Sequence, residues 1–409
     1  MQACPASPPC EARVAVLPAI TQARFLPPKA MTLFSFGGAI LLAASSSAAT
    51  PLYHLYQESM HLTPFWITIV FSVYVASLLA GLLTVGGLSD YVGRRPVILA
   101  ALLLNAAAMI LFAEARDVGQ LILARAVQGL CVGTGTTALG AAILDTNRAR
   151  GPLLNSVTAF VGMTAGSLGT AALITFAPDP LHMIYEVLLG LTMLMVALLG
   201  VMPETTPRKA GALASLRPHV SVPGQSRSIL IRLTPANVAS WALGGLYLSL
   251  MPTVVATAMR VVSPWVGGVV VSALMLSAAI TVAAFRNWPA RRLILLGTST
   301  LSLGVMVSLF GIQQQQVAAL LAGTLIAGAG FGSTFSGVLR ALLPTAEPDQ
   351  RAGLLSAFYV QSYLAFSLPA VAAGLAVPLI GLSIAAYLYG TIIIVLAIIS
   401  LAASLWADR

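Results

Sequence analysis

Residues 86–96 read Gly-Gly-Leu-Ser-Asp-Tyr-Val-Gly-Arg-Arg-Pro and separate two long apolar runs, 65–85 and 97–112. Each run is close to the roughly 20 apolar residues that a helix needs to cross a bilayer. The charged stretch between them is therefore expected at the water interface, where it turns the chain back. Its glycines allow backbone conformations that are closed to other residues. We call residues 86–95 the hinge.

The hinge contains one acidic and two basic residues at fixed spacing. Asp90 and Arg94 are four residues apart, so they can form an ion pair or interact with a neighbouring helix terminus. Arg94 and the adjacent Arg95 are typical of a loop on the cytoplasmic side of a membrane. An ordinary basic turn would explain the two arginines, but it would not explain an acid and glycines at these positions.

The composition excludes a soluble protein. Of 409 residues, 58% are hydrophobic and only 8% are charged, and the mean hydropathy is +0.93. A soluble domain carries about 25% charged residues, so this chain is predicted to be a polytopic membrane protein. The formal charge of +9 is spread over short loops, which argues against nucleic acid as a partner. Three cysteines, Cys4, Cys10 and Cys131, form no disulfide or metal framework.

Twelve apolar runs are long enough to be membrane spans. They are residues 32–52, 64–86, 96–113, 119–142, 153–176, 182–202, 233–254, 262–284, 293–311, 317–342, 353–377 and 380–405. The sequence therefore predicts a disordered cytoplasmic tail at 1–30, a six-helix bundle at 31–202, a cytoplasmic loop at 203–232 and a second bundle at 233–409. Met31 is an alternative start of the chain.

The basic residues predict the orientation. Eighteen of the 21 Lys and Arg residues fall on the side of the hinge, two fall on the other side, and Arg125 lies within a span. This asymmetry follows the positive-inside rule and places both termini in the cytoplasm.

Two motifs resemble the major facilitator superfamily. The order G-x-L-S-D-x-x-G-R-R at 86–95 resembles its signature loop between helices 2 and 3, and Arg125-Ala-Val-Gln128-Gly129 resembles its R-x-x-Q-G element in helix 4. The resemblance covers nearly the whole chain from about residue 31. It implies an all-helical fold of twelve transmembrane helices in two pseudo-symmetric six-helix bundles. The implied mechanism is rocker-switch alternating access, with substrate bound near the midplane.

Short internal sequence repeats indicate that the chain consists of two related halves. Residues 90–99 recur as 287–296, 129–133 as 328–332, and 151–155 as 352–356. Asn287 stands where the first copy has Asp90, so an electrostatic latch would be one-sided.

The resemblance also assigns a conformational latch. Asp90 and Arg94 would hold the cytoplasmic side against the start of helix 11 when the substrate site faces outward, because a helix N-terminus favours an anion. The residues predicted to form this latch are Gly86, Asp90, Gly93, Arg94, Arg95 and Asp145.

Arg125, with Gln128 and Gly129, is predicted to act in coupling or substrate binding. A charge inside a span costs roughly 2.5–3.5 kcal/mol on insertion scales, so it should face protein or a wet cavity. In the family this arginine is linked to proton coupling and substrate binding. The alternative is an arginine that snorkels to the outer interface.

Glycines in span 5 are similar to a motif of the drug:proton antiporters. Gly162, Gly166 and Gly169 are predicted to form one face that allows close helix approach. Ser167 and Thr170 depart from the motif, and plain helix packing explains the glycines equally well.

Proton coupling usually needs a titratable group in the path. His54 and Glu186 are the candidate proton carriers, although each could be an interfacial residue satisfied by water. Because titratable groups in the spans are scarce, a uniporter, which moves substrate without proton coupling, remains the alternative.

The substrate cavity is expected to be amphipathic with few fixed charges, which suits apolar or weakly cationic compounds. Aromatic residues in spans are also common as packing residues and interfacial anchors. Besides Gln128, the candidate cavity residues are Asn237, Trp241, Tyr247, Thr324, Tyr359, Gln361 and Tyr363.

No metal-ligand spacing, phosphate loop or nucleotide fingerprint is found, so a gradient rather than ATP is the expected energy source, without cofactor. The prediction is a monomeric antiporter of the plasma membrane, of the bacterial inner membrane type, that exports amphipathic drug-like compounds or metabolites in exchange for protons. A facilitator or proton symporter for sugars or organic acids is the alternative. A membrane enzyme would need paired catalytic groups that the spans do not offer, and a sensor would bind ligand without flux.

Overall fold

The computed structural model describes residues 26–261 and 263–406. In this part of the chain, the long helices are α1 Pro28–Ala48, α2 Pro64–Val85, α3 Arg94–Ala113, α4 Val118–Thr146, α5 Gly151–Phe176, α6 Pro180–Leu199, α7 Gly224–Ser249, α8 Pro264–Ala284, α9 Ala290–Gln313, α10 Val317–Leu342, α11 Arg351–Ile380 and α12 Leu382–Trp406. Short helical segments also occur at Tyr53–Ser59, Ser89–Val92, Ala212–Ser215, Met251–Thr253, Val254–Ala258 and Leu343–Thr345.

The helices have the length of membrane spans. Eleven of the described helices are long and apolar enough to cross a bilayer, and the twelfth is α7 together with the segment 251–258, bent by 52° where the two meet. The predicted all-helical membrane protein is therefore confirmed.

Some helix bounds differ from the sequence prediction. The sequence predicts that the seventh span begins at residue 233, because Arg227 and Arg232 interrupt the apolar run. In the structure the helix continues through both arginines, so α7 begins at Gly224. α1 begins at Pro28, inside the predicted tail, and residues 1–25 of that tail lie outside the described residues.

Two spans that the sequence predicts as continuous are broken near one end. α1 ends at Ala48 and the chain becomes helical again at Tyr53, whereas α7 ends at Ser249 and continues as a π-helix from Val254. Pro51 lies in the first break, and Pro252 lies in the short helical segment Met251–Thr253 directly after the second. Proline removes a backbone donor and clashes with the preceding turn, which accounts for both breaks.

The two halves pack in the same way. In the first half α1 contacts α4 and α5, α2 contacts α4, and α3 contacts α4 and α6. The second half repeats these pairs six helices later: α7 contacts α10 and α11, α8 contacts α10, and α9 contacts α10 and α12. The halves meet where α2 contacts α11 and where α5 contacts α8. These two contacts are equivalent, because α8 and α11 are the second-half counterparts of α2 and α5. The structure thus has the internal repeat that the sequence echoes predict.

Glycines at equivalent positions bring equivalent helices together. A Cβ atom added at Gly129 would lie 2.3 Å from the carbonyl oxygen of Tyr74, and one at Gly133 would lie 2.2 Å from that of Leu78. The repeated segment in the second half makes an equivalent contact, since a Cβ atom at Gly328 would lie 2.4 Å from a backbone carbonyl oxygen of α8. These glycines let α2 and α8 approach α4 and α10 at backbone distance.

We call the side where α2 ends and α3 begins the hinge face, and the other side the opposite face. Direct contacts between the halves extend to the opposite face. Thr253 donates a hydrogen bond to Gln57 at 2.9 Å, and Ser272 donates to the carbonyl of Thr164 at 3.2 Å. The two halves are therefore in contact at the opposite face through Gln57 and Thr253.

Candidate functional site

The hinge forms a compact charged network. Gly93 has a φ of 99° and separates the short helix Ser89–Val92 from α3. Arg94 is only 6% exposed; its Nη1 pairs with Asp90, and its Nε donates to Asp145 Oδ2 at 3.0 Å. The structure thus brings Asp90, Arg94 and Asp145 together, as the sequence predicts.

Glu204 completes this network and is absent from the sequence prediction. Its carboxylate accepts the backbone N–H of Arg94 at 2.7 Å and that of Arg95 at 3.0 Å. An anion at the start of α3 is favourable because a helix N-terminus carries a partial positive charge. One signal could have found it: Glu204 is the single acid of the predicted loop 203–232.

The segment after α6 is fixed to the hinge. Thr205 and Thr206 donate their hydroxyl protons to Asp145 Oδ2 at 3.0 and 3.2 Å. Lys209 donates its backbone N–H to the carbonyl of Tyr91 at 2.8 Å. In this structure the hinge thus contacts its own half and the central segment, and the latch against the start of α11 stays a prediction.

Arg125 lies in α4 and is 1% exposed. Its Nη1 donates to the carbonyl of Ser46 at 2.9 Å and to Gln128 Oε1 at 2.6 Å, while its Nη2 donates to the hydroxyl of Tyr53. Gln128 Nε2 in turn donates to the carbonyl of Ser45 at 2.9 Å. The side chain is enclosed by the first half, so the snorkelling alternative is wrong.

Aromatic rings complete the surroundings of this guanidinium. Its central carbon lies 5.4 Å from the centroid of Tyr53, 5.3 Å from that of Tyr74 and 5.5 Å from that of Phe112. Its Nε is buried and makes no hydrogen bond. No carboxylate pairs with it in the described chain. Ring faces and oriented carbonyls therefore stabilise this charge.

Arg125 and Gln128 also span the break in α1. Ser45 and Ser46 precede the break, whereas Tyr53 follows it. α4 thus holds α1 and the short helix Tyr53–Ser59 in a fixed relation.

The predicted glycine face of α5 is correct at two positions and wrong at the third. Added Cβ atoms at Gly162 and Gly166 would lie 2.5 and 2.1 Å from carbonyl oxygens of α1. Ser47 strengthens the contact by donating to the carbonyl of Met163 at 2.9 Å. Gly169 has nothing within 4 Å of an added Cβ, because it lies beyond this contact.

Four of the candidate cavity residues are hydrogen-bonded within the second half. Asn237 Nδ2 donates to Gln361 Oε1 at 3.0 Å, which links α7 to α11. The Tyr247 hydroxyl lies 3.0 Å from that of Thr324, and both are buried between α7, α9 and α10. These groups hold the bundle together and have their polar atoms satisfied.

The other three candidates, Trp241, Tyr359 and Tyr363, belong to a group of rings that joins the halves. Trp241 is the centre of this group, and its ring lies 5.1 Å from Tyr363 and 5.7 Å from Phe366. Its Nε1 is buried and makes no hydrogen bond. We call this group the aromatic cluster, and its members are Phe71, Phe160, Trp241, Phe331, Phe335, Phe358, Tyr359, Tyr363 and Phe366.

Phe71 and Phe160 bring the first half into this cluster. Phe71 lies 5.0 Å from Phe366, and Phe160 lies 5.5 Å from Phe331. Phe160 is roughly 14 Å along α5 from its hinge-face end, which is near the middle of a bilayer about 30 Å thick.

The two candidate proton carriers lie apart from these groups. His54 Nε2 lies 3.2 Å from Glu58 Oε1 and lines a cavity of about 340 Å³ at the opposite face, with Gln57 and Thr253. Glu186 is exposed on α6 and has no described polar partner. Neither side chain has a described hydrogen bond or ion pair with Arg125.

Within residues 26–261 and 263–406, no three His, Cys, Asp or Glu side chains are grouped so that they could hold a metal ion.

The multidrug resistance protein MdtL of Klebsiella pneumoniae (strain 342) is 29% identical over 173 residues, which cover 40% of this chain and 41% of that protein. The chain therefore matches about two fifths of the length of this curated relative.

Solved structures share the fold. The human organic anion transporter MFSD10 has a TM-score of 0.65 at 17% identity, over 92% of this chain and 100% of that one. The xylose transporter XylE from E. coli, in a partially occluded inward open conformation, has a TM-score of 0.71 at 13% identity, over 91% and 96%. The family model for the Major Facilitator Superfamily matches residues 35–288, more than half of the sequence. The chain belongs to the Major Facilitator Superfamily.

Proposed function

We propose that this transporter exports amphipathic, ring-bearing compounds in exchange for protons. The observation that carries the proposal is the aromatic cluster, which lies between the halves near the middle of the membrane. The multidrug resistance protein with which the chain shares a segment supports the same substrate class.

The chemistry of the aromatic cluster supports flat, largely apolar substrates. Aromatic faces stack on one another with about 0.5–1.5 kcal/mol beyond area burial, and they attract cations without a carboxylate. The buried Nε1 of Trp241 is an unused donor that a substrate acceptor can satisfy.

The fold supplies a way to open this cluster. Phe71 and Phe160 come from the first half and the remaining rings from the second, so a rotation of the halves changes the contacts between them. We assign the hinge face to the cytoplasm from the distribution of basic residues. The present state, with the halves in contact at the opposite face, would then receive substrate from the cytoplasm.

Arg125 is the proposed coupling residue. It connects α1 to the short helix Tyr53–Ser59, which carries Gln57, and Gln57 accepts the hydrogen bond from Thr253 that joins the halves at the opposite face. A change in the charge balance around Arg125 would therefore alter the position of this short helix.

Transport of sugars or organic acids is the second candidate. The buried Arg125, with no carboxylate beside it and a free Nε, favours an organic anion over a sugar. The polar groups that a sugar needs are instead occupied, since Asn237, Gln361, Tyr247 and Thr324 bond to neighbours in the second half.

The test is to record internal pH in proteoliposomes while lipophilic cations, neutral antibiotics, sugars and organic acids are added in turn. Ring-bearing amphipathic compounds are expected to trigger a proton flux in the wild type. Trp241→Ala should raise the half-saturating concentration, and Arg125→Ala should abolish the flux while membrane insertion is retained.

Two matched controls accompany these variants. Trp288→Ala changes a half-exposed tryptophan at the hinge face, and Arg116→Ala changes an exposed arginine near the opposite face, so both should behave as wild type. A flux driven by organic acids alone would support the second candidate. Labelled substrate that equilibrates without proton flux would identify a uniporter.

A further inference from the structure

Trp241 has a polar atom without a partner in the fold. The residue lies on α7 within the aromatic cluster, and its indole Nε1 is buried and makes no hydrogen bond. Buried polar groups in folded proteins are almost always paired, so an unpaired one calls for an explanation. Because an indole N–H donates and does not accept, only a hydrogen-bond acceptor can satisfy it.

The indole of Trp241 is fixed in its position by the packing around it. Four rings lie against it at interplanar angles of 66–82°, those of Phe331, Phe335, Tyr363 and Phe366. One turn further along α7, a Cβ atom added at Gly245 would lie 2.2 Å from the carbonyl oxygen of Phe366, so α7 and α11 are in backbone contact there. An unpaired serine or threonine hydroxyl in a helix can rotate to a carbonyl of the preceding turn, but an indole enclosed by rings does not have this choice.

Two tyrosines of the aromatic cluster have unused donors as well. Tyr359 and Tyr363 are one turn apart on α11, and their rings stack with centroids 6.0 Å apart at an angle of 24°. Both side chains are partly exposed, and neither hydroxyl has a hydrogen bond within the described chain. They lie roughly 12 and 18 Å along α11 from its hinge-face end, in the middle of a bilayer about 30 Å thick. The cluster thus contains three unused donors within one group of contacting rings.

These donors favour a substrate with an acceptor over a simple cation. The members of the aromatic cluster include no carboxylate, and a cation would gain only from the ring faces. It would leave the N–H of Trp241 unpaired. A carbonyl oxygen at the edge of a planar ring system can accept from Nε1 while the ring system itself stacks among the aromatic side chains.

We propose that Trp241 selects, among ring-bearing compounds, those that carry a carbonyl acceptor at the ring edge, as quinones and aromatic ketones do. This inference rests on the export function proposed above and names its substrate class. The acceptor oxygen binds Nε1 of Trp241, and the hydroxyls of Tyr359 and Tyr363 are donors for a second acceptor. The apolar rings of the cluster cover the remainder of the substrate.

Isothermal titration calorimetry of the full chain in detergent tests this selection with an anthraquinone and an anthracene that carry the same aminoethyl side chain. The two compounds differ in the ring carbonyls, so the difference in their dissociation constants reports on the acceptor. The anthraquinone should bind the wild type about tenfold more tightly, because it alone satisfies the buried donor. Trp241→Phe keeps an aromatic ring and removes the N–H. It should weaken anthraquinone binding about tenfold and change anthracene binding by less than about twofold.

The matched control is Trp288→Phe, which removes the indole N–H of a half-exposed tryptophan at the hinge face. Both compounds should bind this variant as they bind the wild type. Unchanged anthracene binding shows in the same experiment that Trp241→Phe is folded. Equal affinity of the wild type for the two compounds, or an equal loss of affinity for both in Trp241→Phe, would overturn the proposal.

Proton flux in proteoliposomes separates this selection from the export function. A proton flux with equal half-saturating concentrations of the two compounds would support export and overturn the selection by Trp241. Tighter binding of the anthraquinone without any proton flux would support the selection and contradict proton-coupled export.

Discussion

Two buried arginines show two ways of keeping a charge in the membrane. Arg94, near a helix end, is compensated by the carboxylates of Asp90 and Asp145. Arg125 lies roughly 10 Å inside α4 and relies on a carbonyl, an amide, a hydroxyl and three ring faces. Insertion of such a charge costs roughly 2.5–3.5 kcal/mol, and these contacts compensate that cost within the first half.

Gly93 lies between the short helix Ser89–Val92 and α3. Its φ of 99° is unfavourable for other residues, and an added Cβ would lie 2.7 Å from Glu204 Oε2. Gly93→Ala is therefore expected to strain the backbone by about 1–3 kcal/mol and to displace the carboxylate from α3. Thermal unfolding in detergent should show an apparent midpoint lower by roughly 2–5 °C.

Gly87→Ala is the matched control from the same hinge. An added Cβ there has nothing within 4 Å, and the residue does not have a positive φ. Its midpoint should equal that of the wild type. Equal midpoints for both variants would contradict a structural role for the Gly93 conformation.

In α5, two glycines contact α1 and a third does not. Gly166→Ala places a Cβ 2.1 Å from the carbonyl oxygen of Ala44, so α1 and α5 must separate. Such overpacking costs about 1–3 kcal/mol. Gly169→Ala meets open space and gains about 0.5–1 kcal/mol of helix propensity. The apparent melting midpoint should fall in the first variant and stay equal or rise in the second; a fall in both would contradict the assigned contact.

The elements also show what the sequence could predict. Hydropathy identified the spans because the bilayer demands apolar length, and the glycine echoes of α4 and α10 have equivalent contacts. It missed the early start of α7 at Gly224, where Arg227 and Arg232 interrupt the apolar run although the helix continues.

The candidate site was predicted less completely, because contacts depend on neighbours that one sequence does not name. The partners of Arg94 within the hinge follow from local spacing. Glu204 lies 110 positions from Arg94, and only the fold brings it to the start of α3. For the same reason, no pattern separates Trp241, with its free Nε1, from Tyr247, whose hydroxyl is satisfied.

At the scale of the whole molecule, two similar halves carry different chemistry. The first half contains Asp90, Asp145 and Arg125, whereas the second has Asn287 in place of Asp90 and supplies most of the aromatic cluster. The breaks at Pro51 and Pro252 place equivalent helix ends against each other at the opposite face. The contact of the halves there thus involves both breaks.

This contact gives a prediction for the transport cycle. Gln57 and Thr253, one from each half, are joined by a hydrogen bond of 2.9 Å, and they must separate if the opposite face opens. A Gln57→Cys, Thr253→Cys pair, joined by a short reducible bifunctional reagent, is therefore expected to stop transport in proteoliposomes. Reduction should restore it. Cys4 and Cys10 are replaced by Ser in this background, while Cys131 is buried and remains.

The matched control joins two glutamines within one half. Gln225 and Gln350 lie 3.0 Å apart through their amides at the hinge face, so a cross-link between Gln225→Cys and Gln350→Cys leaves the relation of the halves free. That cross-linked protein should transport at the rate of its reduced form. If the Gln57–Thr253 cross-link also left the rate unchanged, the opposite face would not open during turnover, and alternating access through this interface would be wrong.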